Sequence, residues 1–157
     1  MHTTLRFKLF GSGRLPDQAR AAFAADDVLA LAEGIRVDER FSGKVPGLYS
    51  GGRTFRFSGA LVIARKRIFG TLGSWTALDA GWDDDGPGQV AINEQGLRLQ
   101  VDVARVNPAW DGELSLMFRR PFTTEELARF PKRRLACSIS RKHLLQLAGA
   151  RPKTNSK

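Results

Sequence analysis

The stretch "GALVIARKRIFG", residues 59–70, sets three consecutive cations, Arg65, Lys66 and Arg67, between two apolar runs. Just upstream, Phe55, Phe57, Leu61 and Ile63 keep one parity with Gly59 in step. That period of two marks a strand with one buried face, and a glycine inside it marks a bend or a close backbone approach. The chain then turns at Arg65-Lys66 and continues as "RIFGTL". A two-residue hairpin corner favours glycine or asparagine, which accept positive φ. Arg65-Lys66 offers neither, so a looser four-residue turn is expected. Long cations at such a corner keep their charges in water and discourage edge pairing. The stretch is read as a β-hairpin, and its cations as either solvated or gripping a ligand.

The same alternation recurs on both sides. Ile35, Val37 and Phe41 share one face, with Arg36, Asp38 and Arg40 on the other. A loop rich in Gly, Ser and Pro, "SGKVPGLYSGG", separates them from the first stretch. "QVAIN" and "LRLQVDV" flank the turn "EQG", placing Leu97, Leu99, Val101 and Val103 inward and Arg98, Gln100 and Asp102 outward. "ELSLMFR" alternates Leu114, Leu116 and Phe118 against Glu113, Ser115 and Arg119. Leu5, Phe7 and Leu9 suggest a short edge strand, and "RLACSIS" a last one. Three stretches read as helices instead. "PDQARAAFAADDVLALAEG" opens with Pro16 and Asp17, is divisible at Asp26-Asp27, and has Gly34 as its stop. In "PFTTEELARFP", Thr123 and Glu126 form a capping box and Pro131 ends the helix. "SRKHLLQLAGA" is capped by Ser140, and residues 151–157 read as a frayed end.

Closely spaced strands with little helix between them imply an antiparallel sheet system. The expected fold is mainly β with flanking helices: about seven antiparallel strands in a barrel or sandwich, capped by a C-terminal helix. Three segments follow: a lead-in over 1–34, the barrel with its capping helix over 35–131, and a basic extension over 132–157.

Composition narrows the function. The 157 residues fit one domain with a proper core. No apolar run approaches the roughly 20 residues of a membrane-spanning helix. No secretory signal is expected, and the lone Cys137 makes no internal disulfide, so the expected home is cytoplasmic. The net charge is +9. Residues 1–118 balance 14 basic against 14 acidic groups, while 119–157 hold 11 basic groups against Glu125 and Glu126 alone. A neutral body with a cationic end suits either attraction to a polyanion or a solubilising tail.

Catalytic and cofactor motifs are missing. His2, His143 and Cys137 are too few and too scattered for a zinc site. No nucleophile elbow or phosphate-cradling glycine pattern occurs, so neither an enzyme nor a cofactor-binding chain is expected. His143 reads as solvated and Cys137 as a small buried hydrophobe. "WDDDGPG", residues 82–88, lacks the oxygen spacing and distal glutamate of a calcium loop and reads as a charged hairpin turn. Trp75, Trp82 and Trp110 fall near strand ends, where they either plug a barrel or meet a ligand.

The frame "GALVIARKRIFG", preceded by "DDVLALAEGIRVDERF" and followed by the "NEQG" hairpin, "ELSLMFR" and "TTEELARF", resembles bacterial PH-like and GRAM-like domains over residues 26–131. The resemblance implies a PH-like barrel closed by one helix. The chain departs from it at Ala64, where GRAM-like hairpins carry threonine. It also departs in the helix over Leu127 and Phe130, which lacks the tryptophan of eukaryotic PH domains. The loop matching the phosphoinositide grip has only Lys44 and Arg53, too few converging cations for that activity.

The expectation is therefore a non-catalytic interaction module. It binds a protein partner or an anionic lipid surface, peripheral at the inner face of the membrane in the latter case. The candidate partner residues are Lys132, Arg133, Arg134, Arg141 and Lys142. Beyond Ser140, Leu144, Leu145 and Leu147 form an apolar stripe beside those cations, which either meets lipid or docks on the barrel. Two alternatives stand beside it: a small barrel carrying an apolar small molecule, and non-specific nucleic-acid binding through the tail, with no sequence-specific readout.

Overall fold

Two long strands, β1 (Val28–Val45) and β2 (Leu48–Ala64), form an antiparallel hairpin that organises everything else. The structure, a computed structural model, describes residues 14–23 and 28–152. The alternation at Leu5, Phe7 and Leu9, the pair Asp26-Asp27 and residues 153–157 lie outside these. A helix, α1 (Asp17–Phe23), precedes the hairpin. After it come β3 (Arg67–Leu72), β4 (Trp75–Gly81), β5 (Gly88–Asn93) and β6 (Gly96–Asp102). A single turn α2 (Val103–Val106), then β7 (Asp111–Phe118), α3 (Thr124–Arg129), β8 (Arg134–Cys137) and α4 (Arg141–Ala148) complete the chain.

The strands make one antiparallel sheet in the order β4-β3-β2-β1-β7-β6-β5-β8, curled into a nearly closed barrel. There are eight strands rather than about seven. The strand not singled out by alternation is β4, which pairs with β3; β8 is the one expected at "RLACSIS", and it pairs with β5 from within the stretch set apart as a basic extension. No helix among the described residues is long and apolar enough to cross a membrane.

The expected helix through Gly34 is corrected. Among the described residues it covers Asp17–Phe23, and "VLALAEG" is the first part of β1. Alanine and leucine favour helix intrinsically, but ladder pairing such as Leu31 with Val62 outweighs that weak preference. Gly34 does adopt positive φ, at 69°, yet it serves a β-bulge between Glu33 and Ile35 rather than a helix end. The bulge has a large consequence. It reverses which parity faces inward, so that Leu31 and Glu33 lie on the outer face beneath α1, while Val37, Glu39 and Phe41 enter the barrel. Glu33 is satisfied there, accepting from the Leu15 N–H at 2.8 Å and from Arg20.

Inside, successive rungs of side chains fill the barrel. One runs Phe57, Val37, Phe118, Leu97, Ile92 across five strands, and the next runs Phe55, Glu39, Leu116, Leu99, Val90, Leu135. Phe41, Leu61, Ile63, Leu99, Leu114, Leu116 and Phe118 are all fully buried. Gly59 lets strands close up, because a Cβ there would lie 2.2 Å from the Thr71 carbonyl oxygen and 2.8 Å from Val37. At the hairpin corner Ile63 pairs with Ile68, leaving four residues between them without positive φ. Arg65 and Lys66 are exposed, while the Arg67 guanidinium lies 4.6 Å from the Phe23 ring centroid.

The sheet's two ends, β4 and β8, approach without ladder pairing among the described residues, and side chains close the seam. His143 donates from Nε2 to the Thr76 carbonyl at 2.8 Å. Asp84 accepts from the Ser138 N–H at 3.0 Å and from its hydroxyl at 2.7 Å. Lys132 donates to the Trp82 carbonyl at 3.0 Å. So "WDDDGPG" is a clasp as well as a turn, and His143 is a seam residue rather than a solvated one. Helix α3 carries the expected capping box of Thr123 and Glu126. Helix α4, with Ser140 as its cap, presses Leu144, Leu147 and Ala148 into the core.

Candidate functional site

The outer face of the sheet is built by the residues that alternate with the interior rungs. One outer rung reads Arg56, Asp38, Met117, Arg98, Ala91, Arg134 across β2, β1, β7, β6, β5 and β8. Arg56, Arg98 and Arg134 are exposed. Arg36 lies on the same face of β1, and Arg119 just follows β7, its N–H donating to the Arg36 carbonyl at 2.8 Å.

Asp38 is the pivot of this face. Arg36 and Arg119 each donate from Nε to one of its carboxylate oxygens, both at 2.9 Å. Burial by itself raises the Asp38 pKa, but hydrogen bonds and charge from the two arginines more than offset this and hold it below the ordinary 3.8. It is therefore an anion at neutral pH. Both arginine side chains remain about half exposed, at 47% and 48%. Their terminal nitrogens have no partner among the described residues, which leaves a flat, forked donor set for a carboxylate or phosphate. Arg40, one step along β1, donates to the Gly52 carbonyl at 2.8 Å.

The five residues expected from sequence do not form one patch. Arg134 joins the outer rung. Lys132 holds the seam and reaches Asp83 at 3.4 Å. Arg133 is exposed, and its carbonyl accepts from the Ile92 N–H at 2.8 Å. Arg141 and Lys142 stand in the first turn of α4, beyond the other end of β8. Cations there oppose the helix dipole. The stripe expected beside them is only partly available, since Leu144 and Leu147 are fully buried and Leu145 packs against the core. The body arginines Arg36, Arg56 and Arg98 were missed because the charge of residues 1–118 sums to zero. Strand parity was the signal that could have found them.

A surface cleft of about 380 Å³ lies at the seam, walled by Trp75, Thr76, Asp79, Ser138, His143 and Gln146. His143 and Ser138 already spend hydrogen bonds on closing the barrel, so the cleft offers few uncommitted groups. Cys137 is buried, and burial, aided by the Asp84 charge, pushes its thiol up to about 12. No three His, Cys, Asp or Glu side chains among the described residues are grouped to hold a metal. Comparison with protein-family models, with curated proteins and with solved structures finds no match to this chain.

Proposed function

We propose that the chain is a non-catalytic docking module with a PH-like barrel, and that its outer arginine face binds an acidic protein partner. The observation that carries this reading is the cluster around Asp38. Two half-exposed guanidiniums are held in place by one buried carboxylate, with Arg56, Arg98 and Arg134 along the same rung. Fixing arginines beforehand lowers the ordering cost of binding an anion. The order of the strands, the cationic hairpin corner and the capped helix after β7 support the PH-like assignment.

A protein partner suits the face better than a lipid surface. Peripheral membrane binding combines cations with an apolar anchor, and the leucines of α4 that could supply one are packed against the barrel. The exposed large apolar residues among those described, Val28, Tyr49 and Trp75, are scattered over separate strands. A carrier role would need room where the interior rungs are filled by side chains. Nucleic-acid binding would want aromatics among the cations, and the rung of Arg56, Asp38, Met117, Arg98, Ala91 and Arg134 carries none.

The test measures binding of polyglutamate, and of vesicles containing phosphatidylserine, to the wild type and two charge-reversal variants. Arg56→Glu with Arg98→Glu and Arg134→Glu should abolish polyglutamate binding, while Arg141→Glu with Lys142→Glu should leave it largely intact. Unchanged binding in the first variant refutes the proposal. Vesicle pelleting that depends on Arg141 and Lys142 instead favours a membrane surface.

A further inference from the structure

The hairpin of β1 and β2 outruns its neighbours. Among the described residues β3 pairs with β2 only at Leu61, Val62 and Ile63, so the stretch from Leu48 to Phe57 has a strand on one side alone. Which of its backbone groups face outward follows from two hydrogen bonds. Arg119 donates to the Arg36 carbonyl, so the main chain of Arg36 points toward β7 and away from β2. Its partner Ser58 must then point away from β1, and its carbonyl does accept from the Gly73 N–H at 2.9 Å. The pairing runs without a shift through Asp38 with Arg56 and Arg40 with Thr54. In an antiparallel ladder such pairs alternate. The N–H and C=O of Arg56 and Thr54 therefore also face outward, at the open edge, where both residues are exposed.

The side chains flanking this edge differ by face. Arg56 and Thr54 lie on the outer, arginine-bearing face. Phe55 and Phe57 lie on the inner face and are only half-buried, because no further strand covers them. Phe55 is touched by two cations, with the Arg53 guanidinium 5.0 Å and the Arg151 guanidinium 4.2 Å from its ring centroid. Asp38, the cross-strand neighbour of Arg56 on the outer face, is already held by Arg36 and Arg119. Charged residues on an edge strand guard against promiscuous pairing. Here they also state which strand would be accepted.

We infer that the open edge of β2 at Thr54 and Arg56 takes up an extended segment of the acidic partner as an added strand. In this segment acidic and apolar residues alternate. Its acidic side chains fall on the outer face beside Arg56, and its apolar ones cover Phe55 and Phe57. This inference rests on the docking function proposed above and specifies its partner. Backbone hydrogen bonds to the edge supply affinity, and the two-faced pattern supplies selectivity.

The probe is a terminally blocked peptide of alternating glutamate and valine, compared with one of the same composition whose glutamates are contiguous. Residue-resolved amide hydrogen exchange of the full chain is the readout. The alternating peptide should slow exchange at Thr54 and Arg56. It should barely change Phe55 and Phe57, whose amides already face β1. The contiguous peptide should protect neither pair. Thr54→Pro removes an outward donor without removing a ladder bond, and should weaken binding of the alternating peptide about tenfold. If that variant unfolds, the exchange pattern of the wild type decides alone. Unchanged exchange at Thr54 and Arg56 under saturating peptide overturns the inference. So does protection present before peptide is added, whether constant, from the chain's own residues, or rising with protein concentration, from a second copy. Polyglutamate binding that persists without edge protection defeats this inference and leaves the arginine-face proposal standing.

Discussion

Replacing Glu39 with leucine should make this protein more stable and remove most of the loss of stability between mildly acid and neutral pH. The Glu39 side chain enters the barrel in a rung otherwise made of Phe55, Leu116, Leu99, Val90 and Leu135. It is 1% exposed, and neither carboxylate oxygen has a hydrogen-bond partner. Burial pushes its pKa from the ordinary 4.5 up to about 8, against a smaller downward pull from the Arg151 charge. Below 4.5 the group is protonated in both folded and unfolded chains and contributes no pH dependence. Between 4.5 and about 8 only the unfolded chain is ionised, so folding takes up a proton and stability falls as pH rises. The slope is about 1.4 kcal/mol per pH unit, or roughly 3 kcal/mol lost by about pH 7. Leucine carries no such linkage and leaves no oxygen unsatisfied. Glu39→Leu should therefore gain about 3 kcal/mol at neutral pH, with little change in the urea m-value. Glu39→Gln should flatten the pH dependence as well, yet gain less, because a buried amide still wants partners. Urea unfolding followed by circular dichroism across this pH range measures both effects. If wild type and Glu39→Leu show the same slope, or the leucine variant is the less stable at neutral pH, the reasoning fails.

Three further outcomes follow from other contacts. Asp38→Asn should cost about 1–2 kcal/mol near neutral pH, a figure kept low because both arginines are half exposed. Since the Asp38 pKa is depressed, its contribution is present above the ordinary 3.8 and lost as pH falls through the folded value, so the variant should also show a shallower acid limb in unfolding titrations. Gly59→Ala drives a methyl against the Thr71 carbonyl and Val37, and thermal unfolding should report a loss of about 2–3 kcal/mol. The Cys137 thiol, buried and pushed up to about 12, should react with an aromatic disulfide reagent only as fast as the barrel opens, and immediately in denaturant. Rapid labelling of the native protein would contradict its place in the core.

Strand parity made most of the barrel legible. Leu97, Leu99, Val101, Leu114, Leu116 and Phe118 are all inward, as their alternation requires, and the Thr123–Glu126 capping box is formed. What failed was a matter of local preference against long-range pairing. Ala and Leu in "VLALAEG" carry a helical bias, and nothing within that segment reveals that β2 offers it a ladder. Gly34 was the informative residue, but positive φ serves a helix end and a β-bulge equally well. Asp84 and His143 could not be read as clasps, because their partners Ser138 and Thr76 lie far away in sequence.

The same bulge explains why the candidate face was hidden. Counted along the chain, the cations of residues 1–118 are cancelled by an equal number of acids. Folding sorts those charges by face. Once Gly34 sets the parity of β1, Glu39 is withdrawn into the interior while Arg36 and Arg40 stay outside. The Glu39 carboxyl, held neutral up to about 8, then cancels no charge on the surface at neutral pH. Asp38 stays ionised but is bound between two arginines, and Glu33 is covered by α1 and its neighbours. A single positive φ thus leaves a basic rung through Arg56 and Arg98 on a stretch of sequence that is neutral in sum, continued by Arg134, with Asp102 and Glu113 further along the same face. The net charge of the segment is the wrong quantity for locating a docking surface. The Glu39 titration and the loss of polyglutamate binding on reversing Arg56, Arg98 and Arg134 test the two sides of that sorting. An unchanged pH slope in Glu39→Leu refutes the neutral buried carboxyl, and unchanged binding after the arginine reversals refutes the docking face.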